Sequence, residues 1–267
     1  MELTEYMDFA GGLAREAKVE DGLHQYFLQH RERLWKTASH FDIWNLRGKR
    51  ILEIGPFFSY TPFVLREQGN EVSVMEGEDP AVYPLKALYE KRGIEFKLCD
   101  LFQSFGSASV KEHRLPFGEN TFDAVCCWET MEHFNFNPVG FVRDVHRVLK
   151  PGGVAYVTVP NVARLENRVR LLLGKEIATS VGTYEQNYNY AGGNFLGFHW
   201  REYVLAELRR LYESQGFSIV SARNLLTFQN YPTLSASKKL RRFIGRMFFT
   251  FLPSGGSLCS IVAKKAG

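Results

Sequence analysis

From Lys49 onward, short apolar runs alternate with stretches in which apolar residues recur at helical spacing. "KRILEIG", "EVSVME", "IEFKLCD", "FDAVCCW" and "VAYVTVP" have the length and content of buried strands. "TPFVLREQG", "YPLKALYEKRG" and "PVGFVRDVHRVLKPGG" lie between them and have the pattern of helices. Strands of this kind separated by helices predict a doubly wound, mostly parallel sheet covered on both faces. Residues 1–48 are predicted to form a helical cap, clearest in "LHQYFLQHRERLW", where Leu23, Phe27, His30 and Leu34 share one face. The rhythm breaks over 161–198, a helix-like "ARLENRVRLLLG" followed by "YEQNYNYAGGNF", read as a lid inserted into the domain 49–267. A helix in "WREYVLAELRRLYESQG", a strand in "FSIVSARNL" and a last strand in "LCSIVAKK" predict an added hairpin-like edge.

With 267 residues, 45% of them hydrophobic, the chain can bury one full core. It has no apolar run of about 18 residues, and its first residues lack the basic-then-apolar pattern of a signal peptide. Cys99, Cys126, Cys127 and Cys259 form no C-x-x-C pair, and three lie in apolar runs, so reduced thiols and a cytoplasmic location are expected. Charge is uneven: residues 1–160 carry 18 Lys/Arg against 23 Asp/Glu, residues 161–267 carry 15 against 6. The basic part is either a solvated surface or a face for phosphate, nucleic acid or anionic lipid.

In an open α/β sheet the ligand lies beyond the carboxyl ends of the strands. "ILEIGPFFSY" places Gly55 at the end of the first strand, where backbone can approach a nucleotide closely. Glu76 ends the second strand, suited to ribose hydroxyls, and Asp100 ends the third, suited to an adenine amino group or nearby backbone. Two further glycines usual in such a turn are replaced by Phe57 and Ser59. A phenylalanine is strained at positive φ, so the loop is expected to follow another path or to use its amide differently. Phe57 also argues against the close pyrophosphate contact that a dinucleotide enzyme needs.

Together with "LPFGENTFDAVCCWETMEHF" and "RVLKPGGVAYVTVPN", these pieces make residues 45–265 resemble the class I S-adenosylmethionine-dependent methyltransferases. The resemblance implies a Rossmann-like, seven-stranded sheet and S-adenosylmethionine as cofactor. It implies Glu53 and Gly55 at the methionine end, Phe57 among the cofactor-binding residues, Glu76 on the ribose, Asp100 and Leu101 beside adenine, and Trp128 and Glu129 bordering the methyl group. A member that has lost its cofactor and serves as a scaffold is the non-enzymatic alternative.

After the fourth strand, "ETMEHF" puts Glu129, Glu132 and His133 at i, i+3 and i+4, a spacing that shares one helical face. This E-x-x-E-H resembles the metal-binding element of the ubiquinone-type O-methyltransferases and of the small-RNA terminal 2′-O-methyltransferases. By that likeness a divalent metal, magnesium or manganese, would sit on Glu129, Glu132 and His133, with His199 of "GFHWREY" as fourth ligand. The same residues without metal make His133 or His199 a general base beside Glu129, or only shape the pocket.

The insert's Tyr184, Tyr188 and Tyr190, with amide side chains between them, suit a sugar or polyhydroxylated ring by stacking and hydrogen bonding. An ordinary tyrosine-rich surface loop reads the same way. Residues 236–253 predict a basic amphipathic helix whose stretch 238–252 could lie on the inner face of an anionic membrane or pack on the sheet or a second subunit. No RNA-binding module accompanies the domain, which argues against a nucleic-acid partner. The expected activity is O-methylation of a sugar, glycan precursor or secondary metabolite; an RNA ribose acceptor and C- or N-methylation are the alternatives. Oligomeric state has no sequence signal.

Overall fold

The computed structural model describes residues 1–19, 21–77, 83–106, 114–180, 182–183, 198–228 and 235–267. Seven strands form one sheet in the order β3-β2-β1-β4-β5-β7-β6. In chain order they are β1 (Arg50–Ile54), β2 (Glu71–Glu76), β3 (Glu95–Leu98), β4 (Phe122–Trp128), β5 (Leu149–Pro160), β6 (Phe217–Leu225) and β7 (Leu258–Lys265). β1 to β5 pair in parallel, as the alternating pattern predicts. β7 runs antiparallel to both neighbours and lies between β5 and β6. The expected terminal hairpin therefore pairs, with the last strand in the inner position.

The helices are α1 (Leu3–Glu16), α2 (Asp21–His40), α3 (Thr61–Glu67), α4 (Tyr83–Lys91), α5 (Leu101–Phe105), α6 (Pro138–Val148), α7 (Leu165–Leu172), α8 (Leu205–Glu213) and α9 (Ala236–Phe251). Because strand side chains alternate in direction, the sheet divides its apolar residues between two cores. Val125 and Cys127 of β4 join Leu52, Phe141, Val145, Leu208 and Tyr212 on the α6–α8 side. Ala124, Cys126 and Trp128 join Ile51, Val74, Leu85 and Tyr89 on the other side. The second core also takes Tyr6, Leu13 and Phe27 from α1 and α2, so the helical cap packs into the sheet domain. Phe27 meets Tyr60 edge-on at 4.8 Å, which fixes α2 above the turn that follows β1. All four cysteines are free thiols.

Candidate active site

The carboxyl ends of β1, β2 and β4 bring Ile54, Glu76 and Trp128 to one edge, and the turn after β1 crosses it. Gly55 sits at φ +65°, and a Cβ there would stand 2.8 Å from the Thr130 side chain. Only glycine fits on both counts. Thr130 is itself fixed, its hydroxyl donating to the carbonyls of Ile54 and Trp128 at 3.1 and 3.2 Å.

Of the two expectations drawn from the bulk of Phe57, another path is not taken, since it does adopt the left-handed conformation, at φ +48°, and a different use of its amide is what the structure shows. Its amide donates to the Glu76 carboxylate, and its ring packs edge-on against Phe58 at 4.8 Å and Tyr26 at 5.1 Å. A left-handed non-glycine residue costs about 1–3 kcal/mol, which a charge-assisted bond and two aromatic contacts can offset. One Glu76 oxygen is thus used by the loop itself. Asp100 lies just past the end of β3, not within it, and its carboxylate caps α5 by accepting from the amides of Phe102 and Gln103 at 2.9 and 3.1 Å. Leu101 begins α5 and packs against the α6–α8 core.

Glu53 is 2% exposed, and its Oε2 has no partner. Burial, with the nearby Glu76 adding repulsion, pushes its carboxyl up to about 8. The Trp128 indole N–H is buried without an acceptor, its ring stacked on Phe41 at 6.0 Å. An unsatisfied buried carboxyl and an unsatisfied donor beside a glycine turn fit a polar, cationic nucleoside such as S-adenosylmethionine.

The E-x-x-E-H segment does not form the helical face that its spacing predicts. Glu129 takes φ +54°, and only Met131–His133 make a single 3-10 turn. With this reversal Glu129 makes an ion pair with Arg33 of α2 at 2.9 Å while staying close enough to Glu132 to raise its carboxyl. Burial raises the Glu129 carboxyl and Arg33 opposes it. Arg33, Tyr26 and His30, all on α2, are site neighbours missed from sequence. Arg33 was readable in part: it follows His30 by one helical turn on a stripe that the fold buries.

Glu132, His133 and His199 do come together, with one donor atom of each within 4.8 Å of the others. Glu132 is 1% exposed, its Oε2 lacks a partner, and burial together with Glu129 raises its carboxyl well above the usual range. His133 Nδ1 lies 2.9 Å from the Phe198 carbonyl, which can only accept. The proton is therefore on Nδ1 and Nε2 keeps its lone pair. His199 Nδ1 lies 3.1 Å from the Glu202 carboxylate, which imposes the same tautomer. Glu202 is held below the carboxylate range, against its burial, by His199 and Arg164. The imidazole rings stand 5.1 Å apart, edge to face. Burial lowers His133 to about 4. Two imidazoles oriented through Nδ1 around an unsatisfied carboxylate fit a divalent cation, and Glu129 is outside that set. His199 and Trp200 also line a cleft of about 340 Å³ with Val162, Arg164, Ile177 and Thr179. Tyr184, Tyr188 and Tyr190 lie outside the described residues.

A family model described as a methyltransferase domain matches residues 23–222. The chain is 26% identical over 209 residues to the mitochondrial ubiquinone biosynthesis O-methyltransferase of Rattus norvegicus, covering 73% of this chain and 52% of that one. It is 31% identical over 135 residues to a ubiquinone/menaquinone biosynthesis C-methyltransferase of Desulfotalea psychrophila, covering 47% and 48%. The chain thus spans about half the length of these curated relatives. Its fold is similar to a chain in the complex between the Haloferax volcanii Trm112 methyltransferase activator and a methyltransferase. That match has a TM-score of 0.61 at 18% identity, over 96% of this chain and 98% of that one.

Proposed function

The chain belongs to the class I S-adenosylmethionine-dependent methyltransferases, and on that premise we propose that it transfers a methyl group to a hydroxyl oxygen of a small molecule. S-adenosylmethionine, when bound, would supply a methyl group on a cationic sulfur and leave as adenosylhomocysteine, and a divalent cation would lower the pKa of the acceptor hydroxyl, whose proton would pass to solvent. Glu53, Gly55, Phe57, Glu76 and Trp128 would hold the nucleoside, the unpaired Glu53 carboxyl facing its positive charge. Glu132, His133 and His199 would hold magnesium or manganese.

The observation that carries this reading is the buried Glu132 carboxylate between two imidazoles whose Nε2 lone pairs are left open. His133 serves better as ligand than as base. A group that gains a proton only near pH 4 takes little of one from a hydroxyl. Arg33 holds Glu129 in place beside this centre. For the acceptor, the relatives named as ubiquinone biosynthesis O-methyltransferases support a ubiquinone precursor, and the tyrosine-rich insert supports a sugar or glycan hydroxyl.

The test is release of adenosylhomocysteine with quinol precursors, sugar nucleotides and short RNAs, before and after chelation. Turnover is expected with a hydroxylated small molecule, lost on chelation and restored by magnesium or manganese. Glu132→Gln and His199→Ala are expected to lower it about 100-fold or more. Turnover indifferent to chelator would overturn the metal. A methyl group found on carbon or nitrogen in the product would overturn O-transfer.

A further inference from the structure

Helix α9 (Ala236–Phe251) shows its apolar side to solvent. Its contacts with the domain run along a narrow face: Gly245 lies against the Phe228 ring, Phe249 against Gly256, and Arg242 and Arg246 stand over Phe228 at 5.3 and 5.8 Å. Leu240, Phe243, Ile244, Met247, Phe248 and Phe251 are 42–80% exposed. A patch of large apolar side chains on that scale marks a surface that is covered in use.

Charge selects what covers it. Beyond Glu213 the sequence to residue 267 has no acidic residue, while 238–246 contains Lys238, Lys239, Arg241, Arg242 and Arg246; of these Lys239 and Arg246 stand exposed on the helix. A two-fold contact with a second copy would set this helix against itself, basic residues meeting with no acid to pair them. A single-stranded nucleic acid would answer the charge and could stack on Phe243, Phe248 and Phe251, but it would leave Leu240, Ile244 and Met247 in water. An anionic bilayer answers both features, phosphate at the basic residues and acyl chains at the apolar ones.

We infer that α9 docks this protein in the plane of an anionic phospholipid membrane. No described helix is long and apolar enough to cross a bilayer, so the attachment is peripheral. The position suits a membrane-facing edge. β6 and β5 both run antiparallel to β7, so α9, which follows β6, starts at the same carboxyl edge as the candidate active site. The turn after α9 is tied to α7: Arg168 donates to Ser254, Asn161 donates to the Ser254 and Gly256 carbonyls, and Leu165 lies against Gly255. α7 and the residue after it add exposed Val169, Leu171, Leu172 and Leu173 to that edge. The inference rests on these surfaces and does not depend on the methyl-transfer reading.

Co-sedimentation of the full chain at about 0.15 M salt, with vesicles of phosphatidylcholine alone or mixed with phosphatidylglycerol, tests it. Binding to the mixed vesicles is expected to exceed that to phosphatidylcholine about tenfold. Phe243→Ser/Phe248→Ser/Phe251→Ser is expected to lower it about tenfold or more, with the thermal midpoint and calorimetric adenosylhomocysteine binding unchanged. Lys238→Gln/Lys239→Gln is expected to lower it severalfold, and it gives the reading alone if the triple variant fails to fold. Three results would each overturn the inference: wild-type protein left in the supernatant with both vesicles, equal binding by wild type and both variants, or vesicle-independent dimers or RNA complexes that the triple variant abolishes.

Discussion

Two residues at the carboxyl edge take a backbone conformation that their side chains disfavour, Phe57 and Glu129. Each is held by a long-range charged contact, the first to Glu76 and the second to Arg33. The neighbouring Gly55 differs, because there the turn itself leaves no room for a Cβ. Gly55→Ala is therefore expected to destabilise by about 2–3 kcal/mol and to weaken adenosylhomocysteine binding, whereas Phe57→Gly trades strain for ring contacts and stays within about 1 kcal/mol. Urea unfolding with calorimetry measures both. Sequence marked Gly55, Glu76 and Asp100 because strand ends announce themselves locally. It left the path at Phe57 open and misjudged the E-x-x-E-H segment, because both conformations are imposed by partners distant in the chain. The Arg33–Glu129 bond joins residues 96 positions apart, beyond any local spacing.

At the scale of elements, α2 acts as a cover: Tyr26 meets Phe57 and Arg33 reaches Glu129. Arg33→Met leaves Glu129 buried without its counter-ion, an expected loss of about 3–5 kcal/mol in urea unfolding, and adding Glu129→Gln recovers most of it. Adenosylhomocysteine is expected to slow amide exchange across α2 if the cover closes over bound cofactor; unchanged exchange there would remove α2 from the site. The strands and α2 were readable because period and length agree with burial. The stripe on α9 was equally readable as a helix, yet its direction was not, since the same periodicity serves a helix that faces a core and one that faces outward.

For the molecule as a whole, buried titratable groups set opposing slopes on stability against pH. Burial, with Arg33 adding to it, depresses His30 to about 3, so its contribution is complete above the unfolded value of 6.5 and is lost as pH falls below it. Glu53, raised to about 8, favours the folded state most at low pH and loses that advantage as pH rises from 4.5 to 8. Between pH 6.5 and 8 only Glu53 of the two acts, and its share of the stability of the cofactor-free protein is expected to fall by roughly 2 kcal/mol there, with the raised Glu132 adding to the same decline. Glu53→Gln should lessen that decline in urea midpoints by its own share, and bound adenosylhomocysteine should reduce it. The parallel order of β1 to β5 follows from the alternating pattern, and the family resemblance implied seven strands, but the inner place of β7 was not readable, because short apolar strands carry no label for their neighbours. That place has a cost during synthesis. Until the ribosome has delivered residues 258–265, β5 has an open, apolar margin, and Cys259, Ile261 and Ala263 cannot yet complete the layer they end in. A nascent chain halted before that point would offer bare strand to any passing copy, so this protein depends on its final strand, and on whatever shields it meanwhile, to stay out of aggregates.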